Sequence, residues 1–418
     1  MTVDKFGGAL LVQSWREPLR NDDVFDLCDA AFGGQLGFDD VHTVWVHPRA
    51  NVSNTAELNA SENLLTGKTL AAAGVYRRAS FLTATNAVDD SSPFGPDVFG
   101  RDLSDPALGF SFSELNLAYG FVPPRRFGDP SLYLDFRPTR RWIRRFVAKR
   151  ANAGSSVSAL NAFAYTCGAG LAATAGGASR VLNTDHSATY LAYGAANYEL
   201  NGFEAGNDIQ GQRSRESESE SEYSQTTQKP KAEYERTSTS NNARGAFDAR
   251  TFTDFYCEDF YPAVRQLAGL PMPGRQGRGG GRGGSERGAK RGGRGAFGSS
   301  SPKEKNAKPP RPETFDLVIL DPPTLTKTAY GAVDIETDYQ SLAKPCGLCV
   351  TPGGVLLATN HSPRIDVDDW LELVEKCVTK AGCVLTDVEV VSPDADDDDH
   401  PAMSDGKRPL KVAAFTLE

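Results

Sequence analysis

The run Phe315-Asp316-Leu317-Val318-Ile319-Leu320-Asp321-Pro322-Pro323-Thr324 constrains this chain more than any other segment. Apolar and β-branched residues follow one another without alternation, the pattern of a strand covered on both faces inside a parallel sheet. Pro322 and Pro323 cannot continue that strand, because neither carries the N–H that the ladder needs. Asp321 is therefore expected at the carboxyl end of a central strand, against a rigid turn. In open α/β sheets ligands bind at that edge. Taken alone, the segment is equally compatible with a strand that stops at a proline turn while Asp321 caps a neighbour.

The flanking sequence predicts the rest of such a sheet. Val157–Phe163, Arg180–Asp185, Thr251–Tyr256, Phe315–Leu320 and Gly354–Ala358 are predicted strands. Helical patterns follow at Gly168–Thr174, Ala188–Leu200, Tyr261–Ala268, Ile335–Val350 and Asp366–Lys380, and Cys383–Val391 with Leu410–Leu417 closes the series as an antiparallel strand pair. Repeated βα units imply right-handed crossovers and a doubly wound, largely parallel, Rossmann-like α/β sheet with an antiparallel hairpin at one edge. Residues 1–130 read differently. Ala9–Trp15 and Val41–His47 look like strands around a helix near Asp23–Ala31, and Ser111–Leu117 alternates as one strand, so a small α+β N-terminal domain is expected before a second domain at 131–418.

At 418 residues the chain has room for two domains, yet its hydrophobic content is only 39% and its mean hydropathy −0.41. Two polar insertions account for the dilution. Residues 204–247 contain Arg215-Glu216-Ser217-Glu218-Ser219-Glu220-Ser221-Glu222, and residues 272–312 contain Gly277-Arg278-Gly279-Gly280-Gly281-Arg282-Gly283-Gly284. Neither carries enough apolar surface to offset the entropy of ordering, so both are expected as disordered insertions within one domain. The net charge of −9 hides an asymmetry: 272–312 holds eleven Lys/Arg against two Glu, leaving about −18 for the remainder. No apolar run of about 18 residues is present, and the N-terminus lacks the basic start of a signal peptide and the Arg/Ser-rich composition of a transit peptide. The expected location is intracellular, cytoplasmic by default, with a plastid or mitochondrion open if the chain starts further upstream. Seven scattered cysteines fit reduced thiols; Cys346-Gly347-Leu348-Cys349 has metal-pair spacing but no second pair to complete four ligands, so no metal is expected.

Three further segments carry chemistry. Asn161-Ala162-Phe163-Ala164-Tyr165-Thr166-Cys167-Gly168-Ala169-Gly170 leaves the first strand and enters a helix, its glycines fitting either a close approach to a ligand or a tight packing turn. Asp185 ends the second strand 24 positions after Asn161, a spacing at which an acid can accept both hydroxyls of a ribose, while Ser187 serves as the better helix cap. Glu258-Asp259-Phe260 ends the third strand. There an acid can accept the exocyclic amine of adenine with Phe260 against the ring, or Asp259 can cap its helix; both readings stand.

Together with Leu132-Tyr133-Leu134-Asp135-Phe136-Arg137-Pro138-Thr139-Arg140-Arg141-Trp142, Asn197-Tyr198-Glu199-Leu200-Asn201-Gly202 and Thr351-Pro352-Gly353-Gly354, these segments resemble the class I S-adenosylmethionine-dependent methyltransferases. Within them the chain is similar to the branch of bacterial large-subunit rRNA methyltransferases that modify cytosine C5 or guanine N7, over residues 109–418 outside the insertions. The resemblance implies S-adenosyl-L-methionine as cofactor, with Phe163, Tyr165, Thr166 and Gly168 around its methionine end, Asp185 and His186 at the ribose and Asp259 and Phe260 at the adenine. It implies Asp321, Pro322 and Pro323 at the entrance to the reacting methyl group, and Arg137 and Arg140 closing the pocket. Cytosine C5 methylation needs a thiolate that adds to C6. The fifth strand leads instead into Thr359-Asn360-His361-Ser362-Pro363, without a cysteine, so direct transfer to a base nitrogen is expected, with Asp321 and Asn360 orienting the target. His361 fits a proton acceptor or a plain surface residue equally. The Arg/Gly segment favours RNA, probed through phosphates and base faces, as the partner. A protein or small-molecule acceptor, or an inactive RNA-binding protein on the same fold, are the alternatives.

Overall fold

A computed structural model describes residues 2–14, 21–41, 43–48, 74–77, 111–121, 130–204, 210–211, 252–271, 312–393 and 409–418. It divides into two compact units, Met1–Leu134 with Leu200–Gly202, and Asp135–Glu199 with Phe203–Glu418. The expected disordered insertions lie outside the described residues for most of their length. One piece of the first is ordered where none was expected: Gln210–Gly211 forms a short strand.

In the first unit, β1 (Thr2–Phe6), β2 (Ala9–Ser14), β3 (Thr43–Pro48) and β4 (Gly74–Arg77) form a sheet in that order. Helix α1 (Asn21–Phe32) joins β2 to the parallel β3, and Leu10, Val12, Val24, Cys28, Val44 and Val46 share their core. The strand expected over Ser111–Leu117 is a hairpin, β5 (Ser111–Glu114) and β6 (Leu117–Gly120). Its two-residue turn places Leu115 at φ 53° and Asn116 at φ 61°, both positive as the right-handed twist of a hairpin requires. Phe112 of the hairpin meets Phe6 edge-on at 5.1 Å.

The second unit opens at Asp135, within a 3-10 turn (Leu134–Phe136), and continues into α2 (Arg137–Asn152). Then come β7 (Ser158–Ala162), α3 (Gly168–Ala175), β8 (Arg180–Asp185), α4 (Ala188–Leu200), β9 (Gln210–Gly211), β10 (Phe252–Cys257), α5 (Phe260–Leu267), β11 (Phe315–Leu320), the small hairpin β12 (Leu325–Lys327) and β13 (Ala332–Asp334), α6 (Gln340–Gly347), β14 (Val350–Asn360), α7 (Val367–Lys380), β15 (Leu385–Val390) and β16 (Lys411–Leu417). The sheet order is β15-β16-β14-β11-β7-β8-β10-β9. All pairings from β14 to β9 are parallel, and β16 pairs antiparallel with both β14 and β15. The expected antiparallel edge hairpin is thus modified. β15 runs in the sense of β14, and the one reversed strand, β16, lies inside the sheet between them.

The apolar run of β11 behaves as its sequence demands. Leu317 and Ile319 face one layer with Ile143 and Val147 of α2 and Ala172 and Ala173 of α3. Val318 and Leu320 face the other with Val264 of α5, Leu342 of α6 and Val374 of α7. The helix expected over Ile335–Val350 is shorter than its pattern. Asp334 accepts hydrogen bonds from the amides of Glu336 (2.9 Å) and Thr337 (3.1 Å), a local turn that competes with helix, and Val350 already pairs in β14. No helix among the described residues is long and apolar enough to cross a membrane.

Core position and edge position predict opposite sensitivities. Ile319→Ala, at a fully buried site, is expected to cost about 2–5 kcal/mol, whereas Val388→Ala on the exposed outer strand is expected to stay within about 0.5 kcal/mol. Urea denaturation of both variants checks this.

Candidate active site

Register lines up the functional strand ends. Leu320 lies opposite Ala162 and Ala358, Ala162 opposite Thr184, and Asp185 opposite Cys257. The next residues out therefore form a row along the carboxyl edge, Thr359, Asp321, Phe163 and Asp185, at neighbouring-strand spacing of about 4.8 Å. Strand order reverses between β11 and β7, the switch point at which open α/β sheets bind ligands.

The turn after β7 has an unusual backbone. Phe163 (φ 58°), Tyr165 (φ 51°) and Cys167 (φ 62°) all occupy the left-handed region, which costs side-chain-bearing residues roughly 1–3 kcal/mol each. Named contacts hold it there. The Ala164 amide donates to Thr184 O (2.9 Å), the Cys167 amide to Ala164 O (2.7 Å), and the Tyr165 amide to Asp185 Oδ2 (2.9 Å). Asp185 Oδ1 also accepts from the Ser187 amide (2.8 Å), and Ser187 Oγ in turn accepts from the Tyr190 amide (3.3 Å), so Ser187 caps α4 as expected. Asn197 Nδ2 donates to Thr166 O (3.1 Å). Thr166 is itself buried, and Gly168 is the buried first residue of α3.

Beneath the turn runs a polar network that the sequence reading missed. Asn161 Nδ2 donates to Asn183 Oδ1 (2.9 Å), and Asn183 Nδ2 donates to Tyr198 Oη (3.3 Å), all three side chains being buried. A Cβ on Gly170 would lie 2.2 Å from Asn183 Oδ1, so Gly170 is needed for packing against this network. Gly194 of α4 is needed for the same kind of reason, since its Cβ would lie 2.3 Å from Cys167 Sγ. A glycine inside a helical pattern was the available signal.

The remaining expected residues separate into two sets. The ring of Phe163 stacks on Phe260 with centroids 4.5 Å apart and planes 12° from parallel, giving an apolar wall beside Asp185. Tyr165 leans on Tyr190 at 4.3 Å. His186 is exposed, its Nδ1 3.4 Å from Asp185 Oδ1. Asp259 is the N-cap of α5, accepting from the Tyr261 amide (3.0 Å), and burial raises its pKa against that hydrogen bond and one from Thr328. Pro322 is buried and Pro323 exposed.

Asn360 does not stand with Asp321 as expected. Its side chain is fully buried, with Nδ2 donating to Ile335 O (3.3 Å) and Oδ1 accepting from the Ser362 amide (2.9 Å), so it fastens the end of β14. The residue that reaches Asp321 is its neighbour Thr359, whose Oγ1 donates to Asp321 Oδ1 at 2.5 Å. His361 pairs through Nε2 with Thr324 Oγ1 (2.5 Å), bracing the turn after Pro323. The Asp321 carboxyl has its pKa raised to about 6. Burial is the largest cause; the Thr359 hydrogen bond opposes it, Asp135 adds to it and the buried Arg140 guanidinium opposes it. No group of three or more His, Cys, Asp or Glu able to hold a metal occurs among the described residues, and burial raises the thiol pKa of Cys346 and Cys349.

A row of strand-end loops at a switch point, an acid closing β8 and an Asp-Pro-Pro after β11 define a doubly wound, Rossmann-like α/β domain with a candidate ligand site along its carboxyl edge. Residues 110–212 match the family model for S-adenosylmethionine-dependent methyltransferases, about a quarter of the chain. The crystal structure of SMU.776 complexed with SAH superposes over 99% of this chain and 70% of its own with a TM-score of 0.52 at 13% identity, a likeness of fold. Among curated relatives, the ribosomal RNA large subunit methyltransferase K/L of Hahella chejuensis is 41% identical over 73 residues, 18% of this chain and 9% of the relative. That of Psychrobacter arcticus is 36% identical over 118 residues, 28% of this chain and 14% of the relative. The chain thus spans about a tenth of the length of the curated relatives it matches.

Two outcomes follow from this geometry. Gly194→Ala should weaken S-adenosylmethionine binding more than tenfold by displacing the Cys167 turn. Adding Cys167→Gly, which removes the clashing side chain and suits the positive φ, should restore most of the loss by calorimetry. For Asp321 the sign runs from its raised folded pKa: its favourable contribution to folding is complete below the ordinary value of 3.8 and is lost as pH rises through about 6. The melting temperature of Asp321→Asn relative to wild type should accordingly climb between those limits and level off above; an offset independent of pH would contradict this.

Proposed function

We propose that the chain transfers a methyl group from S-adenosylmethionine to a nitrogen of a base in RNA, with ribosomal RNA as the acceptor class. The observation that carries the reading is a carboxyl at the end of β11 beside a strand, β14, that ends in Thr359 and Asn360 rather than in a cysteine. Covalent cytosine chemistry needs a thiolate. Burial raises the pKa of all seven cysteines, to about 12 at Cys28 and Cys349.

The residues present fit the cofactor. Asp185 offers carboxylate oxygens at the rim, the Phe163–Phe260 stack offers an apolar face to an aromatic ring, and the Phe163–Cys167 turn keeps the backbone between them fixed. When bound, S-adenosylmethionine supplies a methyl group on a sulfonium, an electrophile that needs no further activation. What the protein adds is placement. Asp321, held by Thr359 and wedged against Pro322, accepts a hydrogen bond from the N–H edge of the target and so aims its nitrogen lone pair. If that nitrogen is a ring atom without hydrogen, no proton leaves, and the carboxylate offsets the positive charge gained by the base. If it is an exocyclic amine, the proton lost passes to Asp321. With a pKa near 6 that carboxyl returns it to water at neutral pH.

The names of the K/L relatives support an RNA acceptor, as does the Arg/Gly segment. A base inside a helix would have to be flipped out to meet the methyl group. This reading places the protein inside the cell, where ribosomal RNA is found.

Tritiated-methyl transfer into total RNA followed by nucleoside analysis tests acceptor and atom together. Label in a methylated base nitrogen is expected, and label that survives in an RNase-treated extract would point to another acceptor. Asp321→Ala should lower turnover at least a hundredfold while cofactor binding persists. Cys→Ala substitution at Cys257 or Cys383 should leave turnover within threefold of wild type.

A further inference from the structure

Helix α2 is strongly basic. From Arg137 to Asn152 it holds seven Arg or Lys and no acid. Its inner face is spent on the core through Ile143 and Val147. On the opposite face Arg141, Arg145 and Lys149 recur at i, i+4 and i+8, about 6 Å apart along the axis. A second ladder runs beside the first. Trp142 and Phe146 stack with centroids 5.0 Å apart and planes 11° from parallel, and the Arg150 guanidinium lies 4.6 Å over the Phe146 ring. Trp142 Nε1 donates to Glu389 Oε1 of β15 (2.9 Å), fixing the indole against the sheet edge. Between helix and strand lies a groove of about 140 Å³ reached by Arg141, Trp142, Arg145, Glu389 and Ser392.

We propose that this outward face of α2 is a landing surface for single-stranded RNA, with phosphates along Arg141, Arg145 and Lys149 and a base stacked on Trp142, which Phe146 backs from within. The inference rests on the RNA-acceptor reading above and adds where the strand runs. Cations alone would suit any polyanion, but cations interleaved with stacked aromatic faces suit nucleic acid. The location is also apt. The first turn of α2 brings Arg140 near enough to act on the Asp321 carboxyl, so the stripe from Arg141 to Lys149 leads away from the catalytic edge for about 12 Å. An RNA whose target base reaches Asp321 can therefore be held by its flanking nucleotides along the helix.

The test uses the full chain and a labelled RNA oligomer about 20 nucleotides long, with affinity followed by anisotropy across salt concentrations. Arg141→Glu/Arg145→Glu should lose at least tenfold in affinity near 0.1 M salt and lower the slope of log affinity against log salt by about two. Lys376→Glu/Lys380→Glu, the same charge change on the outer face of α7, should stay within twofold of wild type. Trp142→Ala should lose about fivefold or more with the salt slope unchanged. Cofactor affinity by calorimetry should be equal in all, which separates lost RNA contact from lost fold. Equal affinity of the α2 and α7 variants, or competition by polyaspartate as strong as by RNA of the same charge, would overturn the proposal. Wild-type methylation of RNA with an unchanged KM in Arg141→Glu/Arg145→Glu would sink the surface and spare the function, whereas absence of any RNA methylation or binding would sink both.

Discussion

Two backbone amides converge on one carboxylate, and the candidate site depends on that convergence. Asp185 accepts from Tyr165 with one oxygen and from Ser187 with the other, so it pins the turn after β7 while setting the start of α4. It acts beside the Ala164–Thr184 and Cys167–Ala164 hydrogen bonds in keeping three residues in left-handed backbone. The buried Asn161–Asn183–Tyr198 chain supports the same turn from below. Satisfied polar groups in a low-dielectric interior are strong fasteners, and an unsatisfied one is costly. The rim acid of the cofactor reading is thus also a structural group, and each of its oxygens keeps acceptor capacity beyond the amide it holds.

The second constraint is electrostatic. Asp321 lies half-buried among one hydroxyl, one buried guanidinium and a second acid, and these pull in opposite directions. Burial prevails, leaving a carboxyl poised between its charged and neutral forms close to physiological pH. Such a group can hold a proton briefly and give it up, a property that a fully solvated aspartate lacks.

Much of this was legible in the residues, for reasons that differ by element. Phe315–Leu320 and Arg180–Asp185 were readable to the residue, because buried parallel strands show unbroken apolar runs and end where an acid or proline interrupts them. The α4 boundaries were readable too, from Ser187 onward. Ile335–Val350 misled, since its apolar spacing suits a helix but Asp334 makes a turn first and Val350 joins a strand. Ser111–Leu117 misled because Leu115 and Asn116 carry no glycine to mark the turn. At the site, register could not be read from sequence, so the partner of Asp321 was assigned to Asn360 when it is Thr359, one position earlier and pointing to the other side of the strand. The Asn183–Tyr198 network was invisible because polar residues inside a strand and a helix declare themselves only when the two meet.

The pairing at the switch point joins distant parts of the chain. Ser158 at the start of β7 and Asp316 in β11, whose carboxylate accepts from the Ser158 amide and hydroxyl, are 158 positions apart. Contacts of that span form slowly, since most of the intervening chain must be gathered before they repay the entropy lost. Yet that entropy grows only with the logarithm of loop length, so doubling the intervening segment adds just about 0.6 kcal/mol. The sheet can therefore tolerate very long excursions between its strands at almost no thermodynamic penalty, and the burden falls on the folding rate. A chain built this way can carry long inserts while the row of strand ends at its carboxyl edge stays in place.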